Sequence, residues 1–141
     1  MAHIRGAVLG DVLSSLLESI GHTVTREYYV NDAGSQIETL GKSLFKRYQQ
    51  LFNIDVELLN EEYPGSYLID IAKNIKNKDG NKWILFEDKI ILNKYFKSYA
   101  VNFLINNIKE DLSLININFD KFTFESQVVK SNLINKIFSL L

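Results

Sequence analysis

Apolar residues return at three- and four-residue steps over Val8, Leu9, Val12, Leu13, Leu16, Leu17 and Ile20, a wide apolar face that predicts a helix over residues 6–20. Gly21 stands just past its end as a stop. The pattern then changes. TVTREYYV is β-branched and aromatic and predicts a strand, with Tyr28 and Tyr29 on opposite faces, so that one turns to the core. Asn31 and Asp32 close that strand. Asp32 is placed to cap a second helix over residues 33–52, carried by Ile37, Leu40, Leu44, Phe45, Tyr48, Leu51 and Phe52. Residues 53–65 show no period and contain the only proline, Pro64. Tyr67, Leu68, Ile71 and Ile75 predict a short helix over 66–76, and NKDGNK a turn after it. Leu92, Tyr95, Phe96, Tyr99, Ala100, Phe103, Leu104 and Ile108 predict a long helix ending near Leu112. Ile117, Phe119, Phe122 and Phe124 alternate as a strand, with a bulge at Asp120–Lys121. Val128, Val129, Leu133, Ile134, Ile137 and Phe138 predict a final helix running to the end.

Strands separated by helices imply a parallel sheet and an α/β fold. The strands are few for so many helices. A doubly wound core wants a strand before the first helix and more after the last. The pattern therefore reads as the middle of a larger α/β domain, with few parallel strands and a helical insertion. A strand preceding Met1 would pair beside TVTREYYV, and without it Val8 or Val12 lose cover. The chain falls into three segments: residues 1–52, 53–112 and 113–141.

The 141 residues suit one domain, and a hydrophobic content of 46% suffices for a core. A net charge of -1 gives no global pull toward nucleic acid or membrane. The absence of cysteine removes disulfides, thiolate zinc sites and cysteine nucleophiles, and no metal site is expected. Apolar runs are too short to span a membrane, and Asp11 and Glu18 interrupt any signal-peptide core, consistent with a cytoplasmic chain.

Candidate chemistry gathers at two places. Asn31, Asp32, Gly34 and Gln36 follow the carboxyl end of a predicted strand, where open α/β sheets bind ligands. The same residues also serve as a cap, a tight helix entry and a surface amide. His3 and Arg5 precede the first helix; on their own they read as a tail histidine and a solvated first-turn arginine. His22 reads as a loop histidine. Lys73, Lys76, Lys78 and Lys82 form either a solvated face or a phosphate-contacting stretch. Glu110 and Asp111 are adjacent on a helix and diverge, so they do not converge on one proton.

HIRGAVLGDVLSSLLESIGHTVT followed by REYYVNDAGSQI resembles the catalytic domain of arginyl-tRNA synthetases, class I enzymes with a Rossmann-like core. The similarity continues in order through EYPGSYLIDIAK, DGNKW and AVNFLINNIKEDLSLININFDKFTFES. It implies an arginine–tRNA ligase that activates arginine with ATP, accompanied by Mg2+, and transfers it to tRNA, with no tightly bound cofactor. His3 matches the second histidine of the His-x-Gly-His signature, and Ala2 stands where glycine is usual. The resemblance places Ala2, His3, Arg5 and Gly6 against ATP, with His3 catalytic. It places Asn31, Asp32, Gly34 and Gln36 on the substrate side. The first histidine of the signature would precede Met1, and the lysine-rich nucleotide loop and the anticodon-binding domain would follow Leu141. The chain is thus expected to be a piece of the enzyme, inactive alone and in need of complementary synthetase fragments. On this resemblance residues 1–52 are a nucleotide-binding half, 53–112 a helical insertion and 113–141 the return strand and helix. The alternative is a non-catalytic remnant or interaction module that binds tRNA, a nucleotide or another synthetase piece.

Overall fold

The computed structural model describes residues 2–131 and 133–140, with the backbone alone at residues 2, 3 and 133–135. The order of elements is α1 (Ala2–Ser19), β1 (Glu27–Val30), α2 (Ser35–Gln50), α3 (Tyr67–Asp79), α4 (Lys89–Leu114), β2 (Lys121–Phe124), α5 (Glu125–Lys130) and α6 (Leu133–Phe138). β1 and β2 pair in parallel, with Glu27 opposite Lys121 and Val30 opposite Phe124. The mixed α/β class with a depleted parallel sheet is therefore the observed one. The chain divides into two compact units, one holding the residues up to Asp32 and from Asn107 onward, the other Ala33–Asn106.

The Ala33–Asn106 unit carries a conventional core. Leu40, Leu44 and Tyr48 of α2, Leu68, Ile71 and Ile75 of α3, and Phe96 and Ala100 of α4 are buried together with Trp83. The predicted periods bury because each apolar stripe has another facing it. Aromatic rings interlock within this core. Trp83 stacks on Tyr95 at 4.0 Å, and Phe96 meets Phe45 and Tyr48 edge-on at 5.0 and 5.4 Å. Asp79 accepts hydrogen bonds from Trp83 Nε1 (2.7 Å) and Tyr95 Oη (2.5 Å), so both polar tips are satisfied. Backbones approach closely at Gly41, where a Cβ would stand 3.2 Å from the main chain of Lys97. α3 runs past its predicted end at residue 76 into the first half of NKDGNK, to Asp79, and stops at Gly80, whose φ of 62° favours glycine.

The other unit is built around the four-residue pairing of β1 with β2. Of TVTREYYV only the last four residues are strand. The Arg26 N–H donates to the Asp120 carboxylate (2.7 Å), and the Arg26 carbonyl accepts from Asp120 and Lys121 (2.9 and 3.2 Å). That exchange is where the ladder starts. β2 likewise begins at Lys121, not near Ile117, and no bulge is needed. The reason lies in the end of α4. Asn116 takes a left-handed φ of 61°, and the Ile117 N–H reaches back to the Leu112 carbonyl, so Ile117 belongs to the helix stop. Tyr28 is the tyrosine that packs, against Phe122 and Phe119 at 5.3 and 5.2 Å, while Tyr29 is 59% exposed. The final helix is broken in two: α5 ends at Ser131, whose hydroxyl bonds the Val128 carbonyl.

Helix α1 leaves its apolar face open, as expected for Val8 and Val12. The residues it half-buries are Ala7, Asp11 and Ser14, while Val8, Leu9, Val12, Leu13, Leu16 and Ile20 are exposed. Its tether to the start of β1 is polar. Arg26 donates from Nε to Asp11 (3.1 Å), from Nη1 and Nη2 to the two carboxylate oxygens of Glu18 (2.7 and 3.1 Å), and from Nη2 to Ser15 Oγ (3.3 Å). The bridged Glu18 is held below its ordinary pKa, first by the hydrogen bond from Arg26.

Candidate functional site

Because β1 and β2 run parallel, their carboxyl ends lie together, and the residues just past each strand meet there. Val30 leads into Asn31 and Asp32, and Phe124 into Glu125 and Ser126. Asp32 Oδ1 accepts the Ser126 backbone N–H at 2.8 Å, and Oδ2 accepts the Ser126 hydroxyl at 2.5 Å. The expectation that Asp32 caps the second helix is corrected by this pairing. Its carboxylate is taken up by the first turn of α5. α2 starts at Gly34, with no side-chain cap and a φ of 86° that an L side chain resists. Gly34 is thus the tight entry to α2, and Gln36 is exposed on its first turn. Asn31 and Asp32 belong to one compact unit, Gly34 and Gln36 to the other.

Tyr29 stands near the same corner. Its phenol is pushed above its ordinary value, first by partial desolvation and then by the negative charges of Glu125 and Asp32. The strand end therefore presents a phenol and two carboxylates. Sequence reasoning missed Glu125 and Ser126 as members of this corner. The available signal was FTFES: a parallel partner of EYYV must place the residues after Phe124 beside those after Val30.

The side chains of Ala2 and His3 lie outside the described ones, so those two expectations have no geometry here. Arg5 and Gly6 are exposed on α1. Gly6 borders a cavity of about 300 Å³ with Gly10, Asp11, Arg26, Ile117 and Phe119. These neighbours precede the strands, and neither Asn31 nor Asp32 lines that cavity. A larger, mainly apolar cavity of about 590 Å³ lies within the other unit, between Phe45, Trp83, Phe86 and Leu92, with Lys42 and Lys89 also lining it.

The lysine stretch divides by use. Lys76 donates to the Leu51 carbonyl (2.7 Å) and sits 4.4 Å over the Phe52 ring, so it is a packing residue. Lys73 pairs with Asp70, and Lys82 lies 4.7 Å over Trp83. His22 is exposed and contributes its backbone N–H to closing α1. Among the described residues no three His, Cys, Asp or Glu side chains group as a metal site, and no helix is long and apolar enough to cross a membrane.

A family model described as tRNA synthetases class I (R), catalytic domain, matches residues 1–139. Arginine–tRNA ligases of Ehrlichia chaffeensis and Orientia tsutsugamushi (strain Boryong) are 41% and 42% identical over 142 residues. Each alignment covers 100% of this chain and 24% of the relative. The chain thus spans about a quarter of the length of these relatives. A crystal structure of a Campylobacter jejuni protein, provisionally described as an arginyl-tRNA synthetase, superposes with a TM-score of 0.75 at 34% identity. It covers 89% of this chain and 27% of that one.

Proposed function

The chain belongs to the family of class I tRNA synthetase (R) catalytic domains, and from that premise we propose that it forms part of an arginine–tRNA ligase acting in the cytoplasm. The observation that carries this reading is the match over residues 1–139, nearly the whole chain. The complete enzyme joins arginine to the α-phosphate of ATP, releases pyrophosphate and transfers the arginyl group to tRNA. Mg2+ enters with ATP as a substrate ion.

In this reading residues 1–52 are the nucleotide-binding half, 53–112 the insertion, and 113–141 the return strand and helix. His3 donates a hydrogen bond to the phosphate on which charge develops, aided by the N-terminal amides of α1. Ala2, Arg5 and Gly6 line the ATP side, where small residues let the nucleotide approach the backbone. Asn31, Asp32, Gly34 and Gln36 form the substrate side, at the carboxyl end of the sheet. The exposed apolar face of α1 is the surface on which complementary ligase segments pack.

The test is aminoacylation of tRNA(Arg), with the chain alone and then mixed with N- and C-terminal segments of a related ligase. No charging is expected from the chain alone. The mixture should charge, and His3→Ala should abolish it; loss of one charge-stabilising donor typically costs about 3 kcal/mol in the transition state. A mixture that never charges would favour the non-catalytic alternative.

A further inference from the structure

The two ends of the short sheet are each fastened by an aspartate. At the amino end Asp120 holds Arg26, and at the carboxyl end Asp32 holds Ser126. Both oxygens of the Asp32 carboxylate are engaged, one by an N–H and one by a hydroxyl of the same residue. A carboxylate that aims both oxygens at one residue keeps a second lone pair on each. It is well placed to fix the chain immediately after β2.

We propose that Asp32 is a positioning residue: by clamping Ser126 it sets the first turn of α5 and holds Glu125 at the carboxyl end of the sheet, without itself touching substrate. This deepens the ligase reading and rests on it for its catalytic consequence. α5 has only six residues, its N-cap position is Phe124, and no side chain caps it there. The Asp32–Ser126 bonds reach it from 94 residues earlier in the chain and supply the acceptor that local sequence does not.

The experiment uses the full 141-residue chain with Asp32→Ala, Ser126→Ala, the double variant and Ser126→Thr. The first readout is amide hydrogen exchange over residues 125–130. Asp32→Ala removes both bonds and should speed exchange roughly tenfold, and Ser126→Ala removes one and should speed it roughly threefold. The double variant should match Asp32→Ala, because the two act as one unit. Ser126→Thr keeps both donors and should behave as wild type. Protection in α2 and α3 should not change, which separates loss of the clamp from global unfolding.

The second readout is charging by the chain mixed with complementary ligase segments, per assembled complex. Asp32→Ala and Ser126→Ala should both lower kcat and leave KM for arginine unchanged, with Ser126→Thr restoring the rate. If Ser126→Ala is silent in both assays while Asp32→Ala raises KM for arginine, Asp32 is a substrate contact and the proposal is wrong. Unchanged exchange in Asp32→Ala would overturn it too. If the wild-type mixture does not charge, the ligase reading falls, and the exchange data still decide the clamp.

Discussion

Leu44 and Leu13 sit on helices with the same three- and four-residue apolar spacing. Leu44 is 0% exposed at the centre of the Ala33–Asn106 core, and Leu13 is 56% exposed on α1. Both helices repeat apolar residues at those steps, although α2 separates its apolar and polar faces more sharply than α1 does. What also differs is the presence of a facing stripe. α2 meets α3 with apolar side chains on both sides, whereas α1 turns Ala7, Asp11 and Ser14 inward and is tied down by the Arg26 guanidinium. Periodicity establishes which face of a helix is apolar. Burial requires a partner.

The sharpest way to break this comparison is to cut into each region. Phe96→Ala removes a ring in contact with Phe45, Tyr48, Trp83 and Tyr95. It should destabilise that unit by about 3–5 kcal/mol, read as a lower urea midpoint. An unmoved midpoint would mean the core is looser than its packing. Next in size is Asp79→Ala, which strands the Trp83 N–H and the Tyr95 hydroxyl. About 2 kcal/mol should be lost, with a shift in Trp83 fluorescence.

Acid provides a smaller perturbation. Glu38 is held below its ordinary value of 4.5, first by the hydrogen bond from Lys97 and then by that from Asn93. Glu62 is also lowered: burial, the largest influence, opposes this, but Lys46 and the Leu59 N–H outweigh it. A depressed folded pKa contributes stability that is present above the unfolded value and lost as pH falls through the folded one. The Ala33–Asn106 unit should therefore weaken as pH drops below about 4.5. A titration of the urea midpoint should show this, and Glu38→Gln should flatten its slope. The smallest stability effect belongs to Leu13→Ser, within about 0.5 kcal/mol because the side chain already faces water. Its consequence should appear in association instead. Binding of apolar dyes and self-association measured by light scattering should both fall, and a large loss of stability would show that α1 is packed after all.

Much of the fold was legible because helices declare themselves over many residues. α2, α3 and α4 lie close to where Ile37–Phe52, Tyr67–Ile75 and Leu92–Ile108 put them. Strands were overextended because alternation at Ile117 and Phe119 mimics a strand while Asn116 and Ile117 in fact complete a helix stop. The break in the last helix was invisible, since Val128 to Phe138 keeps an apolar period across it. At the site, the motif VNDAGSQ marked the correct strand end. The role of Asp32 was misassigned because local capping, a few residues ahead, competes with a serine ninety-four residues ahead, and only the first is visible along the chain.

That separation has a consequence for the order in which the protein takes shape during synthesis. Arg26 and Asp120 are also 94 residues apart, so both fasteners of the sheet close a loop that contains an entire compact unit. Closing so long a loop from a disordered chain costs on the order of 4 kcal/mol in entropy. Residues 33–106 are all synthesised before β2, and their contacts are mostly with one another. They fold first, and β1 waits with its edge unpaired until Lys121–Phe124 emerges. Pulse-labelling of refolding chains should show α2 and α3 amides protected before those of Glu27–Val30. The Ala33–Asn106 unit, in temporal terms, is the founding piece of the molecule, and the sheet is its latecomer.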